Sequence, residues 1–134
     1  MQEKLSIDNV ILLHRGVIEA CSNSYGSIQL EIFIPPNSRV LFDNDGITLE
    51  GVDIKPAEAT GIKILLSAFS SEPLSFDVSS YENTIKIKYF VESSKKEKPR
   101  AITFEKRVVP GGLWSITLVC RNFNNVTIVI SSSG

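Results

Sequence analysis

At 134 residues the chain suits one domain, with a core large enough to do without metal or disulfide staples. Its 43% hydrophobic and 22% charged content is ordinary for a globular protein, and no apolar run approaches the roughly 18 residues of a membrane helix. The net charge of −1 conceals a division: residues 1–82 carry 12 acidic and 5 basic side chains, residues 83–134 carry 3 and 9. The two halves either neutralise each other locally or give the molecule an acidic and a basic side.

The first residues, Met1-Gln-Glu-Lys-Leu5, lack the basic start and apolar middle of a secretory signal. The chain therefore reads as synthesised in the cytoplasm, with a virion or cell surface as a candidate final location. Leu5 to Leu13 reads as an opening strand, His14-Arg-Gly16 as a turn or bulge, and Val17 to Cys21 as a second short strand. Ser27 to Ile34 alternates cleanly, with Ile28, Leu30, Ile32 and Ile34 on one face, until Pro35-Pro36 stops it. Short strands follow over Arg39–Phe42, Ile47–Leu49 and Val52–Ile54. Pro56 to Gly61 is the one place where a helical turn fits.

Ile62 to Ala68 and Leu74 to Val78 alternate again, and Thr84 to Glu92 directs Ile85, Ile87, Tyr89 and Val91 inward. A lysine-rich loop over residues 93–99 precedes a further strand region ending at Val109. Leu113 to Ile130 carries the clearest pattern. If Arg121 to Asn125 form the loop, Cys120 opposes Val126, Leu118 opposes Ile128, and Ile116 opposes Ile130, all on one apolar face.

The expected fold is all-β: an antiparallel two-sheet sandwich, jelly-roll or immunoglobulin-like, of about ten short strands with little or no helix. A closed barrel is the alternative. Residues 1–134 form a single domain, and Ser131 to Gly134 resembles the linker-like end of a piece cut from a longer chain.

Few residues offer chemistry. His14 is the only histidine and is expected at a surface turn; Met1 is the only methionine. Multi-histidine metal sites and copper sites with an axial methionine are thereby excluded. Asp43-Asn-Asp-Gly46 with Glu50 lacks the further oxygen ligands of a calcium loop and reads as a tight turn. Cys21 and Cys120 have no metal-ligand spacing and read as two buried reduced thiols, with a disulfide between the first and last strands as the alternative. No nucleotide-binding loop or nucleophile elbow is present, so the chain is expected to be non-catalytic and without a cofactor.

Three surfaces remain. Phe33, Leu65, Phe90, Val119 and Val129 fall on the outward phase of strands whose inward phase is already apolar, the pattern of an interface. Lys95, Lys96, Lys98, Arg100, Lys106 and Arg107 form the densest basic region, an anion-binding candidate in which Phe90 or Phe104 would stack bases. Trp114 is a candidate platform for carbohydrate, although its phase also fits a cap on the core. The leading expectation is a self-associating structural module of a virion, tail or surface assembly. Its partners would be copies of itself or other proteins, with carbohydrate as the alternative ligand, nucleic acid a weaker one, and no membrane.

Overall fold

A computed structural model describes residues 3–22, 25–55, 61–92 and 99–132. The chain runs α1 (Ile7–Ala20), β1 (Tyr25–Ile34), β2 (Arg39–Asp43), β3 (Gly46–Glu50), α2 (Ile62–Ser67), β4 (Leu74–Tyr81), β5 (Thr84–Val91), β6 (Arg100–Ala101), β7 (Thr103–Phe104), β8 (Arg107–Val109), β9 (Gly112–Arg121) and β10 (Asn125–Ser132). Two sheets result, ordered β1-β9-β10-β7 and β4-β5-β3-β2-β8, with β6 added beside β5. They do not close into a barrel, and the architecture is the two-sheet sandwich that the strand spacing predicts.

The β9–β10 hairpin has the expected register, pairing Cys120 with Val126, Leu118 with Ile128 and Ile116 with Ile130. Its tight end is made by Asn122 and Phe123, both at positive φ. β1 pairs with β9 along its whole length without a bulge. The inward residues of both sheets meet in one core, in which Ile32, Ile34, Phe42, Ile47, Leu49, Ile85, Ile87, Leu118 and Ile128 are buried. At about 25 cal/mol per Å² of apolar surface removed from water, this core is the main stabilising term of the fold.

Residues 7–20 depart from the reading as strands. They form α1, a helix of 14 residues capped by Ser6, whose Oγ accepts from the Asn9 backbone N–H at 3.3 Å. The apolar positions Val10, Leu13, Val17 and Ala20 recur at three- and four-residue intervals and make one buried stripe. Gly16 does not break the helix; it lets the helix lie close to the sheet. A Cβ there would sit 2.7 Å from Leu30 Cδ2 and 3.4 Å from Leu118 Cδ1. The cost of a helix glycine, about 1 kcal/mol relative to alanine, is thus met by close packing.

The helix lies lengthwise along β1, in the opposite direction. Asn9 reaches Phe33, Gly16 lies over Ile28 and Leu30, and a Cβ on Gly26 would collide with the Ala20 carbonyl oxygen. On its other side α1 touches the second sheet through His14. The helix therefore wedges the sandwich open at the margin bounded by β1 and β4.

Residues 62–67 are also helical, because Ile62 and Leu66, four apart, are the two that bury while Ile64 stays exposed. In place of a Val52–Ile54 strand there is a single parallel bridge from Leu5 to Val52. The helical turn expected over residues 56–60 lies outside the described residues.

Candidate functional site

The four-stranded sheet carries its buried residues on the α1 side and turns the alternate positions outward. Across β1, β9 and β10 the pairing gives an outward grid: Phe33 beside Leu113; Glu31, Ser115 and Ser131; Gln29, Thr117 and Val129; Ser27, Val119 and Thr127; and, at the hairpin end, Arg121 and Asn125. Phe33, Leu113 and Val129 are 44%, 45% and 54% exposed. Among these thirteen residues only Glu31 and Arg121 are charged, with opposite signs. Gln29 donates to Ser115 Oγ at 2.7 Å, so a cross-strand hydrogen bond knits the polar centre of the face.

Of the five residues expected to form an interface, Phe33, Val119 and Val129 therefore share this face. Leu65 and Phe90 do not join it. Leu65 is half-exposed on α2, because its segment is helical and not a strand. Phe90 lies on the six-stranded sheet opposite Ser75, where with Lys63, Phe76, Asp77, Glu92 and Pro99 it lines a cleft of about 570 Å³. Sequence phase predicts outwardness on a strand but does not say which of two sheets the strand will join.

The outer face of the six-stranded sheet has a different chemistry. Asp77 is in register with Lys88, Lys86 lies 3.9 Å from Asp45, and Lys63 lies 3.7 Å from Asp77. Arg39 pairs with Glu50 across β2 and β3. Lys86 and Lys88 come from the basic half of the chain and Asp45 and Asp77 from the acidic half, so folding interleaves the two charges here. The Asp43–Gly46 segment is the tight β2–β3 turn, with the Asp45 N–H donating to Asp43 Oδ1 at 2.7 Å. Its carboxylates serve the turn and the neighbouring lysine.

The described part of the basic region is dispersed. Lys95, Lys96 and Lys98 lie outside the described residues. Arg100 donates to the Phe123 carbonyl, and Arg107 pairs with Glu105 at 2.7 Å. Lys106 borders a polar hollow of about 410 Å³ together with Arg121, Asn44, Thr103 and Asn125. Phe104 is buried against Phe42 and Tyr89 and presents no ring for stacking a base. Trp114 packs partly buried against the core, and its indole N–H donates to the Pro110 carbonyl at 2.9 Å. It is a cap on the core, not a displayed ring.

His14 is not at a surface turn. It is fully buried in α1 and joins three elements. Nε2 lies 2.9 Å from the Leu66 carbonyl oxygen and 3.0 Å from that of Phe69, and Nδ1 lies 2.8 Å from the Tyr89 hydroxyl. Carbonyls only accept, so Nε2 carries the proton and Nδ1 accepts from Tyr89. Burial lowers the imidazole pKa from its ordinary value, opposed by the bonds to Phe69 and Leu66; burial likewise pushes the Tyr89 phenol well up. Both ring nitrogens are engaged by the protein, which makes His14 a structural tie.

The two cysteines are joined. Cys21, just past the end of α1, is bridged to Cys120 of β9 across 99 residues of sequence, with Cα atoms 5.2 Å apart. The reading as separate thiols fails because α1 returns its end to β9, which sequence separation alone does not reveal. Among the described residues no group of three His, Cys, Asp or Glu side chains gathers as a metal site, and no helix is long and apolar enough to cross a membrane.

No family model matches the chain, and no curated protein or solved structure shows significant similarity to it.

Proposed function

We propose that this chain is a non-catalytic assembly module that associates with copies of itself through its four-stranded sheet. The observation that carries the reading is the outward grid of β1, β9 and β10: thirteen residues with two charges of opposite sign, and with Phe33, Leu113, Val119 and Val129 among them. An ordinary solvated sheet face resembles the other sheet, with its paired lysines and aspartates. Such a neutral face, by contrast, has few charges to desolvate and gains from burying Phe33, Leu113, Val119 and Val129. The Cys21–Cys120 bridge fits an oxidising location such as an extracellular surface, where disulfides persist.

Light scattering on the size-fractionated protein, at low and at high salt, tests this reading. The expected species is an oligomer that persists in high salt, because the contact surface carries only one acidic and one basic side chain to screen. An oligomer that dissociates in high salt would move the contact to the charged sheet. A monomer under both conditions, across a wide concentration range, would overturn the proposal.

A further inference from the structure

The four-stranded sheet ends in two unlike edges. β7 spans two residues, whereas β1 spans ten, paired on one side only. Natural edge strands are protected by shortness, proline, bulges or inward and flanking lysines. β1 has none of these: its register with β9 is continuous from Tyr25 to Ile34, and it contains neither proline nor lysine. The edge of the other sheet at the same margin, β4, is flanked by α2.

The direction of the free backbone groups can be read from two contacts. The Phe33 carbonyl accepts from Asn9 Nδ2 at 3.2 Å, away from β9. The β9–β10 turn agrees: Asn124 N–H bonds the Arg121 carbonyl and Arg121 pairs with Asn125, which directs the odd residues of β9 to β10 and its even ones to β1. Backbone polarity alternates along a strand, so Ser27, Gln29 and Glu31 also point their N–H and C=O groups to the open side. Among the described residues no protein group bonds them. Ile28 belongs to the inward apolar phase yet is only half-buried, beside a groove of about 220 Å³ lined also by Leu12, Arg15, Gly16, Glu19 and Leu30.

We infer that β1 is a strand-pairing edge whose occupant is β1 of a second copy, antiparallel about a two-fold axis at Gln29; this rests on the self-association reading above. Five symmetric registers match the hydrogen-bonding phase, centred on residues 27 to 31. Those centred on Ile28 and Leu30 engage only four of the five open-side residues 25, 27, 29, 31 and 33, whereas Gln29 engages all five. The one centred on Glu31 sets two carboxylates face to face, which is destabilising. The one centred on Ser27 leaves the end of the strand unpaired. Centring on Gln29 uses the strand from 25 to 33, places Glu31 opposite the second copy's Ser27, and brings Leu30 opposite its Ile28 over the groove. Each α1 lies over its own β1–β9 pair, so at about 4.8 Å per strand the two helices stand roughly 10 Å apart, an ordinary helix packing distance. The product is one continuous eight-stranded sheet with a doubled neutral face.

Cysteine cross-linking tests the register on a clean background, since both native cysteines are bridged. Directly opposed residues of a hydrogen-bonded pair have Cα atoms about 5.5 Å apart, within disulfide range. Gln29→Cys is expected to give a covalent dimer as its main product on mild oxidation. Ser27→Cys and Glu31→Cys are each expected to give at least fivefold less alone, and to recover when mixed. Gln29→Pro, which removes an N–H that the monomer does not use, is expected to weaken the dimer at least tenfold while the circular dichroism spectrum is retained. A wild-type oligomer with no preference for position 29, and no response to Gln29→Pro, would overturn the edge assignment alone. A wild-type monomer would overturn the self-association reading with it.

Discussion

The two margins of the sandwich are finished by different means. At one, the chain steps from sheet to sheet: β7 adds beside β10, residues 105 and 106 cross over, and β8 adds beside β2. The joint is apolar, with Phe104 stacked on Phe42 at 6.2 Å between ring centroids and tilted against Tyr89. At the other margin no strand of the described residues crosses. A helix stands between the sheets, and specific ties hold it: the Cys21–Cys120 bridge to one sheet, and His14 to Tyr89 and α2. A strand that crosses shortens the sheet edges it joins. A helical wedge fills the core but offers its neighbour no backbone partners, because its own N–H and C=O groups are spent internally. The margin closed by α1 is therefore also the one that leaves β1 open.

This contrast can be broken or sharpened by experiment. The largest effect is expected from the bridge. Replacing Cys21 and Cys120 by serine, or reducing them, releases a loop of about a hundred residues and should cost about 4 kcal/mol of stability, read from urea titrations with and without reductant. Retained stability after reduction would mean that apolar packing alone holds the wedge.

His14→Phe should cost about 2–3 kcal/mol, because it strands the buried Tyr89 hydroxyl and removes the bonds to the Leu66 and Phe69 carbonyls, of which Leu66 keeps its bond from the Phe69 N–H. The same residue predicts a pH dependence. Its folded pKa lies below the ordinary 6.5, so below that pH the unfolded chain binds a proton that the folded chain refuses. Stability is then full above pH 6.5 and falls as the pH drops through it, with a slope of at most about 1.4 kcal/mol per pH unit. Urea midpoints between pH 7 and 5 should show that slope in the wild type and lose it in His14→Phe.

The smallest effect belongs to the other margin. Phe104→Leu should cost about 1–2 kcal/mol through lost packing, with the wild-type pH slope intact. A change of slope in this variant would mean that the two margins are coupled through Tyr89, which touches both His14 and Phe104.

What was legible in the sequence is what local chemistry decides. The two-sheet class followed from alternation, and the β9–β10 register followed from the same alternation with a short loop, because slipping by one residue would turn Cys120, Leu118 and Ile116 to solvent. The outwardness of Phe33, Val119 and Val129 came from phase alone, as did the core position of Ile85, Ile87 and Tyr89.

Other features required the tertiary structure. Val10 to Leu13 is a short apolar run, and such a run suits a strand or a buried helix equally; the space between β1 and β4 decided for the helix, and Gly16 served its close approach. Burial of His14, bridging of Cys21 to Cys120, and the assignment of Phe33 and Phe90 to different sheets all concern residues distant in sequence. Periodicity reports which way a side chain turns from its own backbone. It carries no information on which element stands opposite, and that pairing determined which polar groups are tied, which face stays neutral, and which edge is left open.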